Sequence, residues 1–426
     1  MKMMKSFWVL VAAAVAVRAF GFDIQSAVDA AVRRGGGDVV IPAGDHETGT
    51  VRLGSNVRVV VSKGARVRAK RDKSAYLPGQ ATAVFYAEAA TNVAVCGEGV
   101  VDGQGGAFGF ADTCEPEGRP RLVCFRSCKD VRVEDVTLKD PGFWTVYFHE
   151  CDGVVVRRVT IRSHANFNND GLDFQAKNVL VEDCDIVCDD DAIVFKGENP
   201  DFVIENVVVR RCRISTNCNA LKFGTASLGT VRDVTISDCE IFPRRDSLMW
   251  DWTTRVPGCR THDCGISAVA LEVVDGGRME KVRVRDVTVD GMMVPFFVRL
   301  GRRTPAKPGR ETYLRDVLVE RISGKAVSRL ASSVTGVPGL RPSDIVFRDI
   351  SFSLPGGGTA EEAKDAVPEC EAKYPECYMF DWKALPAYGF YVRHADRVTF
   401  ENVRFHLRNP DERPAYVFDD AARDVR

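Results

Sequence analysis

The sequence predicts an all-β solenoid, a parallel β-helix. Two observations carry that prediction. Similar strand segments recur every two to three dozen residues, and each alternates apolar and polar side chains. The recurring segments include VRVEDVTL (131–138), VVVRRVTI (154–161), VLVEDCDI (179–186), VVVRRCRI (207–214), VRVRDVTV (282–289), DIVFRDIS (344–351) and RVTFENVRF (397–405). The first four start 23, 25 and 28 residues apart. A repeat of that length with one strand in it cannot bury its own apolar face, so it must stack on its neighbours. Val, Ile and Thr enrichment fits strands, and long helical periodicity is nearly absent. The Leu-x-x-Leu-x-Leu frame of leucine-rich repeats is missing.

From the N-terminus, Lys2 and Lys5 precede an eleven-residue apolar run, Phe7 to Val17. That run is too short to cross a bilayer and is followed by Val17-Arg18-Ala19 and Ala19-Phe20-Gly21, two small-residue cleavage patterns. Residues 1–21 therefore read as a secretory signal peptide, and 22–426 as the mature domain, secreted to an extracellular or periplasmic space. Asp23 to Arg34 reads as a short amphipathic helix with Ile24, Val28 and Val32 on one stripe, placed to cap the first coil. Segment 354–385, rich in Gly, Pro and acids, is a long excursion from the coils that is expected to shape the binding face.

The chain has 426 residues, 58 Lys+Arg against 59 Asp+Glu, and 45% apolar residues. That composition excludes disordered and collagenous chains. The balanced charge leaves no basic footprint for nucleic acid. Later stretches are too short to span a membrane, so no membrane partner is expected, and a monomer is.

There are 14 cysteines. Cys184, Cys212 and Cys239 occupy a slot that Val136, Val159 and Val287 fill in other repeats, so that slot is a buried ladder and the thiol acts as a small hydrophobe. Cys259/Cys264 and Cys370/Cys377 are the disulfide candidates. No zinc spacing is present, and neither a metal nor another cofactor is expected.

Acids cluster in NNDGLD (168–173) and DDD (189–191). Asp170 and Asp190 are one coil apart in sequence and so adjacent in space. Like charges at that spacing raise one another's pKa. One protonated and one ionised carboxyl is what cleavage of a glycosidic bond requires, and an inverting reaction needs roughly 6.5–9.5 Å between them. Turn-forming Asp and Asn residues, or a calcium site, are the other readings of the cluster.

These motifs resemble family 28 of the glycoside hydrolases, the polygalacturonase-like enzymes. Residues Asn168 to Asp173 match the family's Asn-x-Asp-Gly-(Ile/Leu)-Asp. Asp190-Asp191-Ala192-Ile193 matches its Asp-Asp-(Ala/Cys)-Ile. GGGDVVIPAGDHETGTVRLGSNVRVVVSKGARV (35–67) and VCGEGVVDGQG (95–105) resemble its early coils. The resemblance implies a right-handed, pectin-lyase-like β-helix without a metal. It implies Asp190 as general acid, with Asp170 and Asp191 positioning and deprotonating water, and hydrolysis with inversion of an α-linked, pectin-like polysaccharide. Two motifs depart. The family Gly-His-Gly becomes Cys218-Asn219-Ala220, and the Arg-Ile-Lys that holds a substrate carboxylate becomes Ala270-Leu271-Glu272. Asn219 cannot titrate, and Ala270 cannot pair with a carboxylate.

Further substrate-binding candidates are Asn168, Asp173, Lys196, Asn219, Lys222, His149, Trp250 and Arg299. Trp144, Trp252, Arg244, Arg245, Arg302, Arg303, Arg393 and His394 are secondary candidates. A pectate-lyase-type β-eliminase and a non-catalytic carbohydrate-binding β-helix are the competing functions.

Overall fold

A computed structural model describes residues 22–108, 118–243, 264–381 and 383–426. Its strands stack in parallel into a β-helix with three faces. The first is set by pairings such as Gly37↔Val57 and Val179↔Val207, the second by Gly44↔Ala65 and Asp185↔Arg213, the third by Leu172↔Ile193 and Leu221↔Val269. One continuous apolar core runs along the axis from Ile24 to Phe400.

The repeats sit where expected, with one difference in form. Segment 131–138 is not one straight strand. It breaks into Lys129–Glu134 and Thr137–Lys139 around Asp135, whose φ is 64°. Arg158, Asp183 and Arg211 occupy the same corner at φ 52°, 57° and 53°. Each left-handed corner residue turns the chain from the first face to the second and directly precedes the Val/Cys slot. Asp tolerates this conformation well and Arg less so. Val136, Val159, Cys184, Cys212, Cys239 and Val287 are all buried, as the ladder reading requires.

On the third face a second ladder appears. Phe125, Phe148, Phe174, Phe195 and Phe223 stack through five successive coils, with ring centroids 6.0, 6.4, 5.2 and 4.2 Å apart. It forms the floor beneath the acidic motifs.

The capping helix is Ile24–Arg33, begun by Asp23, which accepts from Ser26 N at 3.1 Å. Ile24, Val28 and Ala31 are its buried face. Val32 is 44% exposed, which corrects its assignment to the stripe. Residues 28 and 31 are one turn apart, and Val32 rotates past them toward solvent. Cys370 carries a free thiol that donates to the Met379 carbonyl, so the Cys370–Cys377 disulfide is not formed. The signal-peptide segment 1–21, Cys259 and the tryptophan loop with Trp250 and Trp252 lie outside the described residues. No helix among those described is long and apolar enough to cross a membrane.

Candidate active site

The acids meet at the start of the third face. Gly171 N donates to Asp191 O at 2.9 Å, and Ala192 N donates to Asn219 O at 2.9 Å. Those bonds align Asp170, Asp191 and Asn219 on three successive coils. Asn169 fixes the turn that carries the second motif. Its Oδ1 accepts from Asp189 N (3.1 Å) and Asp190 N (2.9 Å), and its Nδ2 donates to Ser163 O (2.9 Å). Thr216 Oγ1 donates to the Asp190 carbonyl. The turn is thus held by the buried Asn169 amide and Thr216, while the expected binder Asn168 sits at φ 52° with its Oδ1 accepting from Arg119 (3.3 Å).

Two lysines, Lys222 buried and Lys196 half-buried, organise the charges. Lys196 lies 3.4 Å from Asp170 and 3.1 Å from Asp173, and 4.2 Å above the Trp144 ring. Lys222 lies 3.1 Å from Asp191 and 2.8 Å from Glu376. Asn219 donates its Nδ2 to Asp191 Oδ1 (2.8 Å) and to Glu376 Oε2 (3.1 Å), and its backbone N to Asp191 Oδ1 (2.9 Å). Asp191 and Glu376 therefore share the same two donor residues.

This environment splits the carboxyls. Burial, with Asp170 and Asp191 beside it, holds Asp190 well above the usual carboxylate range. Asp191 is buried too, but Lys222, Lys196 and the Asn219 donors outweigh that and hold it below the usual range. Burial and neighbouring Asp173 push Asp170 well up. Burial also pushes Asp173 up, to about 7, against the pull of Lys196.

Asp190, Asp191 and Cys218 each offer one ligand atom, all within 4.8 Å of one another. Their chemistry fits a divalent cation poorly. Burial disfavours the ionised forms of Cys218 and Asp190 that a metal needs, and Lys222 already pairs with Asp191.

The other expected residues disperse. His149 pairs in register with Gln175, a step beyond the acids, and its Nδ1 meets Tyr147 OH at 2.8 Å. Burial holds its ring below the usual histidine value, hence neutral. Arg299 does not reach the acids. It is fully buried and donates to the carbonyls of Gly336 (2.9 Å) and Glu369 (2.8 Å). Burial, with Arg393 nearby, brings its guanidinium down to about 10. Arg393 is spent likewise on Val367 O (2.7 Å) and Pro368 O (2.8 Å). Arg303 pairs with Asp275 at 2.6 Å. Glu272 is fully buried near Lys222 and Glu376, and burial pushes its carboxyl well up.

Glu376 was not foreseen. It comes from the 354–385 excursion, and nothing in KYPECYMF marks it. Only the tertiary path of that segment brings it to Asn219, 157 residues away in sequence.

A stacked parallel β-helix with a buried carboxylate cluster at one edge of an outer face defines a pectin-lyase-like solenoid. Residues 34–243 match the model of glycosyl hydrolases family 28, and the chain belongs to that family. It is 26% identical over 231 residues to a probable polygalacturonase of Vitis vinifera, covering 48% of this chain and 47% of that one. A polygalacturonase of Juniperus ashei is 32% identical over 114 residues, covering 24% and 22%. The chain thus spans less than half the length of these curated relatives. Among solved structures, the exopolygalacturonase of Thermotoga maritima superposes with TM-score 0.66 at 20% identity, covering 90% of this chain and 87% of that chain. A family 28 exopolygalacturonase of Yersinia enterocolitica gives 0.67 at 15%, covering 94% and 74%. These likenesses show the shared right-handed parallel β-helix.

Proposed function

We propose that the chain is an exported glycoside hydrolase that cleaves α-glycosidic bonds of a pectin-like polysaccharide by acid/base hydrolysis with inversion. The observation that carries the reading is the different surroundings of two adjacent acids in one cluster: Lys222 and Asn219 contact Asp191 and hold its carboxyl below the usual range, while burial beside Asp170 and Asp191 pushes Asp190 above it. Asp190 protonates the leaving glycosidic oxygen. Asp191 takes the proton of the attacking water, and Asp170 orients that water from the preceding coil. The family relatives named polygalacturonase support the substrate class, and the export signal read at residues 1–21 supports a substrate outside the cell. Inversion rests on the family resemblance alone, because carboxylate oxygens of Asp190 and Asp191 lie within 4.8 Å of each other, short of the roughly 6.5–9.5 Å usual for an inverting pair.

Uronate recognition must differ from the Arg-Ile-Lys device, because Ala270 and Glu272 replace its cations. The two lysines at the cluster are each already held by two carboxylates.

One experiment separates hydrolysis from elimination. Digests are read for new reducing ends, for near-ultraviolet absorbance, and for the first anomer formed by NMR. Reducing ends without absorbance and an inverted first anomer agree with the proposal. An unsaturated, absorbing product contradicts it. The pH–rate profile should be bell-shaped. Asp191, lowered in pKa, gains its proton only below the ordinary carboxylate range, which sets the acid limb. Asp190, raised, loses its proton only well above that range, which sets the alkaline limb.

A further inference from the structure

The third face does not stay open beyond the acids. Its strands continue through Gly265–Val273, Arg278–Leu300 and Phe390–Leu407. Their inward residues Val269, Leu271, Phe296, Val298, Phe390 and Val392 join the axial core. By strand alternation Ala270, Phe297 and Tyr391 point outward. All three are nevertheless buried, in a separate apolar cluster with Cys377, Met379, Phe380 and Leu385 of the excursion.

The excursion is fastened along its length. Arg299 and Arg393 hold carbonyls of residues 367–370 from below. Arg413 donates to Ala384 O (3.1 Å) and Leu385 O (3.2 Å) at the far side. At the near side, Glu376 locks onto Asn219 and Lys222, and Thr225 donates to Tyr374 OH at 2.8 Å. The cover thus begins one coil past Asp191, about 4.8 Å. That step is comparable to one sugar ring.

On the other side of the acids, Trp144 is only partly buried and stacks on Phe143 with centroids 4.9 Å apart. Lys196 and Arg121 lie over the same ring, at 4.2 and 4.9 Å from its centroid, so what Trp144 leaves toward solvent there is an aromatic edge.

Resting on the hydrolase reading above, we infer that segment 364–387 dead-ends the groove directly after the catalytic coil, so that the protein binds a polysaccharide by its terminus and releases short units from that end. The occupant of the closed side is one terminal sugar residue. The rest of the chain runs off past Trp144. Glu376 is the wall that the terminal residue meets, a specificity-determining position that also fixes the two donors of Asp191.

The test follows the wild-type chain on a polysaccharide that it cleaves. Viscosity, reducing ends and early products are measured together. One uniform short product from the first turnovers, with viscosity almost unchanged, is expected. Mixed internal fragments with an early collapse of viscosity would overturn the inference and leave the hydrolase reading intact. A second measurement uses oligosaccharides carrying a bulky label at one terminus or the other. Hydrolysis should be blocked by the label at one terminus only, and equal cleavage of both would overturn the dead end. Release of no reducing ends from any glycan would overturn the hydrolase reading and this inference with it.

Discussion

Two stretches of the same outer face differ in what they carry outward. In Leu172–Glu182, Ile193–Gly197 and Leu221–Ser227 one outward register carries Asp173, Val194 and Lys222, with Lys196 two positions past Val194. In the later coils the same register carries Ala270, Phe297, Ser333 and Tyr391, with Glu272, Arg299 and Arg393 two positions past Ala270, Phe297 and Tyr391. The inward ladders are alike in both stretches, large and apolar. The repeat fixes the scaffold, and the outward residues together with the excursion packed on them decide whether a coil serves chemistry or supports a cover. Charge near the acids is balanced by paired lysines. Beyond them, arginines that would suit an anionic polymer are turned to backbone carbonyls.

The largest break in this comparison comes from the charged stretch. Lys222→Met leaves Asp191 and Glu376 buried without their cation. Removing one partner of a buried pair costs about 3–5 kcal/mol. The acid limb of the rate profile should also move up as Asp191 loses the charge that depresses it. Chemical denaturation and a pH–rate series check both effects.

The covered stretch should respond differently. Phe380→Ala empties part of the interface between the excursion and Phe297, at a cost of about 3 kcal/mol. The axial core should remain intact. Denaturation should lose cooperativity from the cover first, and mixed-length products should replace the single short one. A loss of stability with unchanged products would mean that the cover does not limit substrate entry.

The smallest effect lies where the stretches join. Glu272 has a folded-state carboxyl above the ordinary 4.5, so its contribution to stability is complete below that pH and is lost as pH rises through the folded value. Glu272→Gln removes this loss. Its melting temperature should exceed that of the wild type at neutral pH by the equivalent of about 1 kcal/mol, and the gap should close below pH 4.5. A gap independent of pH would contradict the buried, proton-holding role.

Much of the scaffold was legible in the sequence because the repeat writes itself in period-two strands. The Val/Cys ladder could be read from one slot filled alternately by Val136, Cys184 and Val287. Asp170, Asp190 and Asp191 could be read because a one-coil spacing converts directly into adjacency. The corners at Asp135 and Asp183 were legible only as strand residues, since an αL residue inside an alternating pattern leaves the alternation nearly unbroken. Arg299 could not be placed. It alternates outward as a binding residue would, and only the excursion lying over it shows that its donors are spent. Glu376 was invisible for the complementary reason, because its partners Asn219 and Lys222 are distant in sequence and belong to another coil. Loop-to-coil contacts carry no periodicity.

The most direct test of the central claim compares wild type with Asp190→Asn for reducing-end release across polygalacturonate and a panel of other plant and algal polysaccharides, with melting curves to confirm equal folding. The account predicts turnover by the wild type on at least one α-linked polymer and a loss of about 10²–10⁴-fold in kcat for Asp190→Asn. A folded Asp190→Asn protein with undiminished turnover would contradict it.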